Sequence, residues 1–217
     1  MNPFTRFYLL RHGEVETAYQ RVFAGRLDVG LSPTGARQAE ILAHSLRPVP
    51  FDAVYVSPLR RAQATAKPLL ASNGHRAETI TDLQEMDFGD WTGHTWDEVL
   101  AHFGKSAFDW LEEIEHGRVP NGETGAGILD RLGRVLTALH DRHRGRTVAV
   151  ICHGGVIRAA LAWWLGLPLA RTGGFEIDYA SVTIVDWHER RPEVQLLNWT
   201  PWRNPQETDP KAGPAGS

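Results

Sequence analysis

The chain has 217 residues, of which 42% are hydrophobic and 23% are charged, and its formal net charge is -3. These values are typical of one soluble globular domain, and the scattered basic residues argue against a nucleic-acid-binding surface. The longest apolar runs reach about six residues, far fewer than the roughly 20 that span a bilayer, and no signal-peptide segment is present, so we expect a cytoplasmic protein without a membrane partner.

The first part of the chain predicts a strand and then a helix. Residues 7–10 form an apolar run that is typical of a buried strand. Ser32 and Pro33 are a hydroxyl cap followed by a proline, which predicts the first turn of a helix. Apolar side chains then recur at helical spacing from Ala39 to Leu46, so one face of this helix should be buried.

The next part of the chain repeats this pattern. Residues 52–56 predict a second strand. Ser57 and Pro58 are again a hydroxyl followed by a proline, and we expect a second helix that starts there and continues to about Ala71.

The region of about residues 86–122 departs from the alternation of strands and helices. It carries two short stripes of apolar residues at helical spacing, at residues 96–103 and 107–114. We expect a small helical cap over a pocket, with most of its aromatic side chains packed in the core.

The second half of the chain returns to helices and strands. Thr124 is a candidate cap for a long amphipathic helix, and residues 147–152 predict the central strand. A further helix is expected from about Gly155, with Gly166 as its stop signal. The single cysteine, Cys152, allows no internal disulfide and should be a small buried side chain of the central strand.

The chain ends in an alternating segment and a polar tail. Residues 175–187 alternate like a strand or hairpin, whereas residues 204–217 are rich in proline, glycine and polar residues and should be disordered. The pattern as a whole predicts one α/β domain over residues 1–203. We expect a three-layer sandwich with a mostly parallel central sheet, helices on both faces and the small cap.

Cationic or titratable side chains follow three of the predicted strands. Arg11 and His12 end the first strand, Arg60 lies at the start of the helix after the second, and His153 ends the central strand. The carboxyl ends of parallel strands meet at one edge of a sheet, where α/β folds bind ligands. Guanidinium groups and helix N-termini bind phosphate oxygens well. The sequence therefore predicts a phosphate pocket at this edge.

Three motifs around these residues resemble those of a known family. The sequences L-R-H-G-E at residues 10–14, S-P-L-R-R-A at residues 57–62 and C-H-G-G at residues 152–155 are similar to the ordered motifs of the histidine phosphatase (phosphoglycerate-mutase-like) superfamily. The resemblance covers roughly residues 5–200. It implies an α/β fold and phosphoryl transfer through a phosphohistidine.

The resemblance also implies a role for each residue of the pocket. His12 is expected to be the nucleophile, with Arg11, Arg60 and His153 completing the phosphate site and His153 protonated. His12 must be neutral at the attacking nitrogen, so its other nitrogen needs a partner that fixes the tautomer. The arginines and a protonated histidine would supply the positive charge that phosphoryl transfer requires, so we expect no metal and no cofactor.

A carboxylate is needed to protonate the leaving oxygen and later to activate water. Spacing alone leaves Glu85, Asp87 and Asp90 as candidates near the cap. The resemblance selects Glu85, because its place in L-x-E-x-x-x-G-x-x-x-G matches the acid/base glutamate of the family. The two aspartates are then expected to serve the turn around Gly89.

The sequence departs from the family at two positions in the loop after the nucleophile. Val15 and Ala18 stand where the family often has threonine and asparagine, and a pocket hydrogen bond must be lost or supplied by another residue. The nearest residues that could supply this hydrogen bond are Thr17, Gln20 and Arg21. The resemblance further implies substrate contacts at Ala24, Gly25 and Gly154.

Details of the motifs favour one branch of the family. E-M-D-F-G-D-W at residues 85–91, with V-P-N-G-E at residues 119–123, is similar to the phosphatase branch and in particular to alpha-ribazole phosphatases. The expected function is metal-independent hydrolysis of a small-molecule phosphate ester, and a homodimer is compatible with the sequence. The alternatives are phosphoglycerate mutase-type transfer, a phosphoanion-binding module without turnover, and a histidine-rich metal site.

Overall fold

The computed structural model describes residues 3–189 and 191–203. Their centre is a six-stranded sheet with the strand order β3-β2-β4-β1-β5-β6. β3, β2, β4 and β1 are parallel, and β5 and β6 form an antiparallel hairpin beside β1. The strands are β1 (Phe4–Arg11), β2 (Ala53–Val56), β3 (Ala77–Thr79), β4 (Thr147–Cys152), β5 (Val182–His188) and β6 (Pro192–Trp199).

Helices pack on both faces of this sheet. Side chains alternate along β1, so Phe7 and Leu9 enter one core while Tyr8 and Leu10 enter the other. The first core is covered by α5 and α6 and the second by α1 and α2. The α-helices are α1 (Pro33–Leu46), α2 (Arg60–Asn73), α3 (Trp96–Phe103), α4 (Trp110–Glu115), α5 (Gly125–Arg142) and α6 (Gly154–Leu165). The predicted three-layer α/β sandwich is confirmed.

Several predicted helix ends are confirmed in detail. The Ser32 hydroxyl accepts a hydrogen bond from the amide of Gly35 at the start of α1, and the Thr124 hydroxyl accepts one from Gly127 at the start of α5. Gly166 ends α6 in the left-handed conformation, with φ of 62°. These caps satisfy backbone groups that a helix end would otherwise leave without partners.

Two predicted boundaries are wrong. α2 does not start at Ser57: its N-cap is Leu59, and Arg60 is its first residue. The strand or hairpin predicted for residues 175–187 is a hairpin, but it begins only at Val182 and continues to Trp199. The expected tail at residues 204–217 lies outside the described residues.

The region predicted as a cap contains α3, α4 and three-residue 3-10 helices. The two predicted apolar stripes are helical, although the second begins as a 3-10 helix at Ala107 before α4. Trp91 is fully buried, whereas Trp96 and Phe108 are exposed. In the described part of the chain, no helix is both long and apolar enough to cross a bilayer.

The carboxyl ends of β1, β2 and β4 lie side by side at one edge of the sheet. Their register pairs Arg11 of β1 with Cys152 of β4, and Val56 of β2 with Ile151 of β4. The residues that follow these strands therefore meet at one place, as the sequence predicts.

Candidate active site

A cavity of about 350 Å³ opens at this edge of the sheet. Its walls come from the loops after β1, from α2 and α6, and from the region predicted as a cap. The described residues that line it are Arg11, His12, Val15, Tyr19, Val22, Phe23, Ala24, Gly25, Arg61, Glu85, Phe88, Trp96, Trp110, Gly154, Gly155, Arg158 and Tyr179.

His12 is fixed in one orientation and one tautomer. Its backbone amide donates to the carbonyl oxygen of Cys152, and its own carbonyl oxygen accepts from Ala180, so the residue is held between β4 and the segment before β5. Nδ1 lies 2.8 Å from the carbonyl oxygen of Gly13. A carbonyl oxygen can only accept, so Nδ1 carries the proton and Nε2 keeps its lone pair.

The surroundings of His12 favour its neutral form. Burial, and then the positive charges of Arg61 and Arg11, hold the pKa of His12 well below its usual value of 6.5. The imidazole is therefore neutral at neutral pH, with its single proton on Nδ1. The predicted need for a partner on the second nitrogen is met by the carbonyl of Gly13.

Arg11 extends from the end of β1 into the cavity. One terminal nitrogen donates to the carbonyl oxygen of Ile177, and the guanidinium carbon lies 4.1 Å from the centre of the Tyr179 ring. Nε is buried and has no acceptor among the described residues. A buried donor without an acceptor is unfavourable, so an anionic ligand that accepts from this N–H would be stabilised.

The second arginine of the cavity is Arg61, and the prediction of Arg60 for this place is wrong. Arg61 is 2% exposed, and its two terminal nitrogens donate to the carbonyl oxygens of Gly25 and Leu27, at 2.6 Å and 2.8 Å. Nε donates to Nδ1 of His153, at 3.2 Å. A guanidinium has five N–H groups, so one on each terminal nitrogen remains for a ligand.

The late start of α2 explains this exchange. Because Arg60 is the first residue of the helix, its amide donates to Asp28 and its side chain turns toward an exposed groove beside Glu16 and Gly30. The next residue is rotated by about 100° around the helix, which brings Arg61 into the cavity.

His153 is close to His12 but does not line the cavity. The two rings are 5.1 Å apart, and His153 is fully buried behind Arg61. Its Nδ1 accepts from Arg61, so Nε2 carries the proton and donates to the Ser57 hydroxyl at 2.7 Å. Burial and the charge of Arg61 lower its pKa well below 6.5. The expectation of a protonated His153 is thus wrong, because Nδ1 is already the acceptor of the Arg61 hydrogen bond.

Glu85 faces the cavity from the other side. Its carboxylate accepts hydrogen bonds from the amide of Met86, at 2.9 Å, and from the amide of Gly155 in the first turn of α6, at 3.2 Å. The other two candidate carboxylates do not line the cavity. Asp87 accepts from the amide of Gly89, as expected for turn chemistry, and Asp90 accepts from the side chain of Asn121.

Arg131 holds the segment that carries Glu85. It is 6% exposed and donates to the carbonyl oxygens of Asp82 and Gln84. It also makes two hydrogen bonds of 2.8 Å to Glu123. A bidentate ion pair of this kind restricts the orientation of both partners, so the loop before Glu85 is held against α5.

The predicted substrate contacts Ala24, Gly25 and Gly154 all line the cavity. The three substitutes that we considered for the missing asparagine do not. Thr17 and Arg21 do not line it, and Gln20 donates instead to the carbonyl oxygen of Val15.

Arg158 is the third guanidinium of the cavity, and the sequence pattern did not predict it. It lies on α6, one turn after Gly154, and donates to the carbonyl oxygen of Phe175 at 2.8 Å. Burial and the charge of Arg11 lower its pKa to about 10, so it stays protonated at neutral pH. The described lining residues thus carry three guanidinium groups and one carboxylate, a net charge of +2 with His12 neutral. A phosphate dianion would balance this charge.

The chain matches the family model of the histidine phosphatase superfamily (branch 1) over residues 7–200. It is 31% identical to phosphoserine phosphatase 1 of Hydrogenobacter thermophilus, over 90% of this chain and 92% of that protein. It is 28% identical to adenosylcobalamin/alpha-ribazole phosphatase of Escherichia coli, over 89% of this chain and 95% of that protein.

A solved structure shares the fold. The crystal structure of the alpha-ribazole phosphatase from Shigella flexneri superposes with a TM-score of 0.79 at 27% identity, over 90% of this chain and 96% of that chain. The similarity therefore extends over most of both chains.

The exchange of the two arginines gives a direct prediction. Arg61→Lys is expected to weaken binding of inorganic phosphate by roughly 10- to 100-fold, because a lysine cannot replace a charge-assisted fork worth about 1.5–3 kcal/mol. The matched variant Arg60→Lys should bind like wild type. Isothermal titration calorimetry measures both, with the thermal unfolding midpoint as a control for folding. Equal losses in the two variants, or a larger loss for Arg60→Lys, would contradict the placement.

Proposed function

The chain belongs to the histidine phosphatase superfamily and is a phosphoric monoester hydrolase, and from this premise we propose that His12 is the nucleophile that forms a phosphohistidine. The observation that carries the proposal is the unprotonated Nε2 of His12 in a cavity of net positive charge. Neutral imidazole can attack phosphorus, whereas imidazolium cannot.

In the first step, Nε2 of His12 attacks the phosphorus and the bond to the leaving oxygen breaks. Glu85 enters this step as the protonated carboxylic acid and donates that proton to the leaving oxygen, so the alcohol leaves neutral and Glu85 becomes a carboxylate. The phosphoryl group is left on Nε2, and Nδ1 keeps its proton and donates it to the carbonyl oxygen of Gly13 throughout. The fixed tautomer therefore needs no rearrangement during the transfer.

In the second step, water attacks the phosphorus and the bond to Nε2 breaks. The Glu85 carboxylate takes a proton from this water, and His12 leaves as neutral imidazole. Inorganic phosphate is released and both residues return to their starting states.

The charged groups of the cavity act on the phosphoryl oxygens. Arg11, Arg61 and Arg158 line the cavity and place three positive charges there, and Arg11 Nε has no acceptor among the described residues. Transition states of phosphoryl transfer carry negative charge on the equatorial oxygens, so fixed guanidinium groups stabilise them without reorganisation. His153 acts indirectly in this proposal, since its Nδ1 orients the Arg61 guanidinium.

The remaining walls favour a leaving group with an aromatic ring. Tyr19, Phe23, Phe88, Trp96 and Trp110 line the cavity beyond the phosphate end. Aromatic side chains bind planar rings by offset or edge-to-face contacts. We therefore propose alpha-ribazole phosphate, or an ester of similar shape, as the substrate.

Phosphoserine fits the same walls less well. Its ammonium group would need a carboxylate, and in the described lining the only one is Glu85, which the reaction uses. An uncharged, ring-bearing alcohol places no such demand on the cavity.

The test of the proposal is to trap the intermediate. Wild-type protein is expected to release phosphate from alpha-ribazole 5′-phosphate at a higher kcat/KM than from phosphoserine. Quenching in alkali should leave phosphate on the protein that is stable to alkali and labile to acid. His12→Ala should stay folded, trap no phosphate and show no turnover. Turnover or trapping by the alanine variant would refute the nucleophile assignment.

The role of Glu85 gives a second prediction. Glu85→Gln should slow the hydrolysis of alkyl phosphates by about 10²–10⁴-fold, because the alkoxide then leaves without a proton. The loss should be much smaller with p-nitrophenyl phosphate, whose leaving group needs little protonation, when phosphohistidine formation limits the rate. Steady-state kinetics with both substrates measure this difference.

Two further carboxylates of the chain serve as matched controls. Asp87→Asn and Asp90→Asn remove the same charge outside the cavity and should show no dependence on the leaving group. If Asp87→Asn reproduces the pattern expected of Glu85→Gln, the acid has been assigned to the wrong residue.

A further inference from the structure

A second cavity of about 490 Å³ adjoins the catalytic one. Trp96, Trp110 and Arg158 line both cavities, so the two spaces share a common wall and meet at these side chains. The other side of the second cavity is formed by α4 and by the 3-10 helix after α6. The second cavity is thus a direct neighbour of the catalytic one, and these three side chains lie between them.

Two large aromatic side chains that line the second cavity are exposed to solvent. Phe108 is 92% exposed and Trp96 is 44% exposed, although both lie in a region where other aromatic residues, such as Trp91, are fully buried. Binding is stabilised when an apolar ligand covers exposed aromatic surface and removes it from water. These side chains therefore favour an apolar, planar occupant.

The charges of the second cavity argue against an ionic occupant. Its described lining carries Asp109 and Glu112 as well as Arg158 and Arg171, so the two signs balance. This contrasts with the catalytic cavity, where positive charge is in excess. A neutral ring is accommodated in the second cavity without an unpaired charge.

Arg158 adds a polar group at the junction of the two cavities. Its terminal nitrogens donate to the carbonyl oxygens of Phe175 and Gly154. Its Nε is buried and has no acceptor within the described part of the chain. An oxygen atom of a ligand that passes the junction would satisfy this donor.

We propose that the second cavity is a leaving-group subsite that binds a neutral aromatic ring of the substrate. This inference rests on the proposed function of the catalytic cavity and specifies its substrate class. The substrate is a phosphomonoester of an alcohol whose linker carries an oxygen atom near Arg158 and ends in a ring beside Phe108 and between Trp96 and Trp110.

The test compares esters that differ only in the ring. Propyl phosphate and 3-phenylpropyl phosphate have leaving alcohols of similar acidity, so both make the same demand on the general acid. Wild-type protein should hydrolyse both, with a KM about five- to tenfold lower for the phenyl ester, the lower range of what ring stacking contributes. Phe108→Ala should remove this difference and leave the kinetics of propyl phosphate unchanged.

Two further variants make the result specific. Gly174 lines the second cavity, and a Cβ added there meets no other atom within 4 Å. Gly174→Leu should therefore narrow the cavity without backbone strain and raise the KM of the phenyl ester alone. Leu100→Ala is the control, since Leu100 is 56% exposed on α3 and lines neither cavity. It should behave like wild type.

The outcomes separate this inference from the proposed function. If both esters are hydrolysed with equal KM, or if Phe108→Ala keeps the preference for the phenyl ester, the subsite is refuted while the phosphatase activity stands. If neither ester is hydrolysed, the proposed mechanism fails. Calorimetry with 3-phenylpropylphosphonate and propylphosphonate then decides the subsite separately, because equal affinities would refute it.

Discussion

The hydrogen bond from Nδ1 of His12 to the carbonyl oxygen of Gly13 determines which nitrogen of the histidine can react. This hydrogen bond needs no charged side chain, because its acceptor is a backbone carbonyl. The bond directs the Nε2 lone pair into the cavity. Burial of His12 and the nearby guanidinium groups keep the imidazole neutral. The same positive charge that suppresses protonation of His12 attracts the phosphate, so one electrostatic arrangement prepares both the nucleophile and its target.

A second group of contacts supports this arrangement from behind. Ser57, His153 and Arg61 form a buried chain of hydrogen bonds that joins β2, β4 and α2. It brings the Arg61 guanidinium against the carbonyls of the loop at Gly25. On the opposite side of the cavity, Arg131 fixes the segment of Glu85. Nucleophile, phosphate site and carboxylate are each held by different elements of one sheet edge, which gives them fixed mutual distances.

The periodicity of the chain was sufficient to predict the sheet edge but not every side chain on it. Buried strands followed by glycine predicted the places of Arg11, His12 and His153, because strand ends depend on local pattern. The choice between Arg60 and Arg61 depends on where α2 starts, and the Ser57 hydroxyl pairs with His153, 96 residues away, instead of capping the helix. No local pattern records such a contact. Arg158 left only a weak signal, a charged residue on an apolar helix.

The protonation state of His12, neutral with its lone pair on Nε2, can be measured directly by ¹⁵N NMR of the histidine rings. The spectrum of His12→Ala assigns the resonances. At about pH 5.5, roughly one unit below the ordinary histidine pKa, we expect a protonated Nδ1 and an unprotonated, pyridine-like Nε2 for His12. An imidazolium spectrum at that pH, or a pyridine-like resonance from Nδ1, would contradict it.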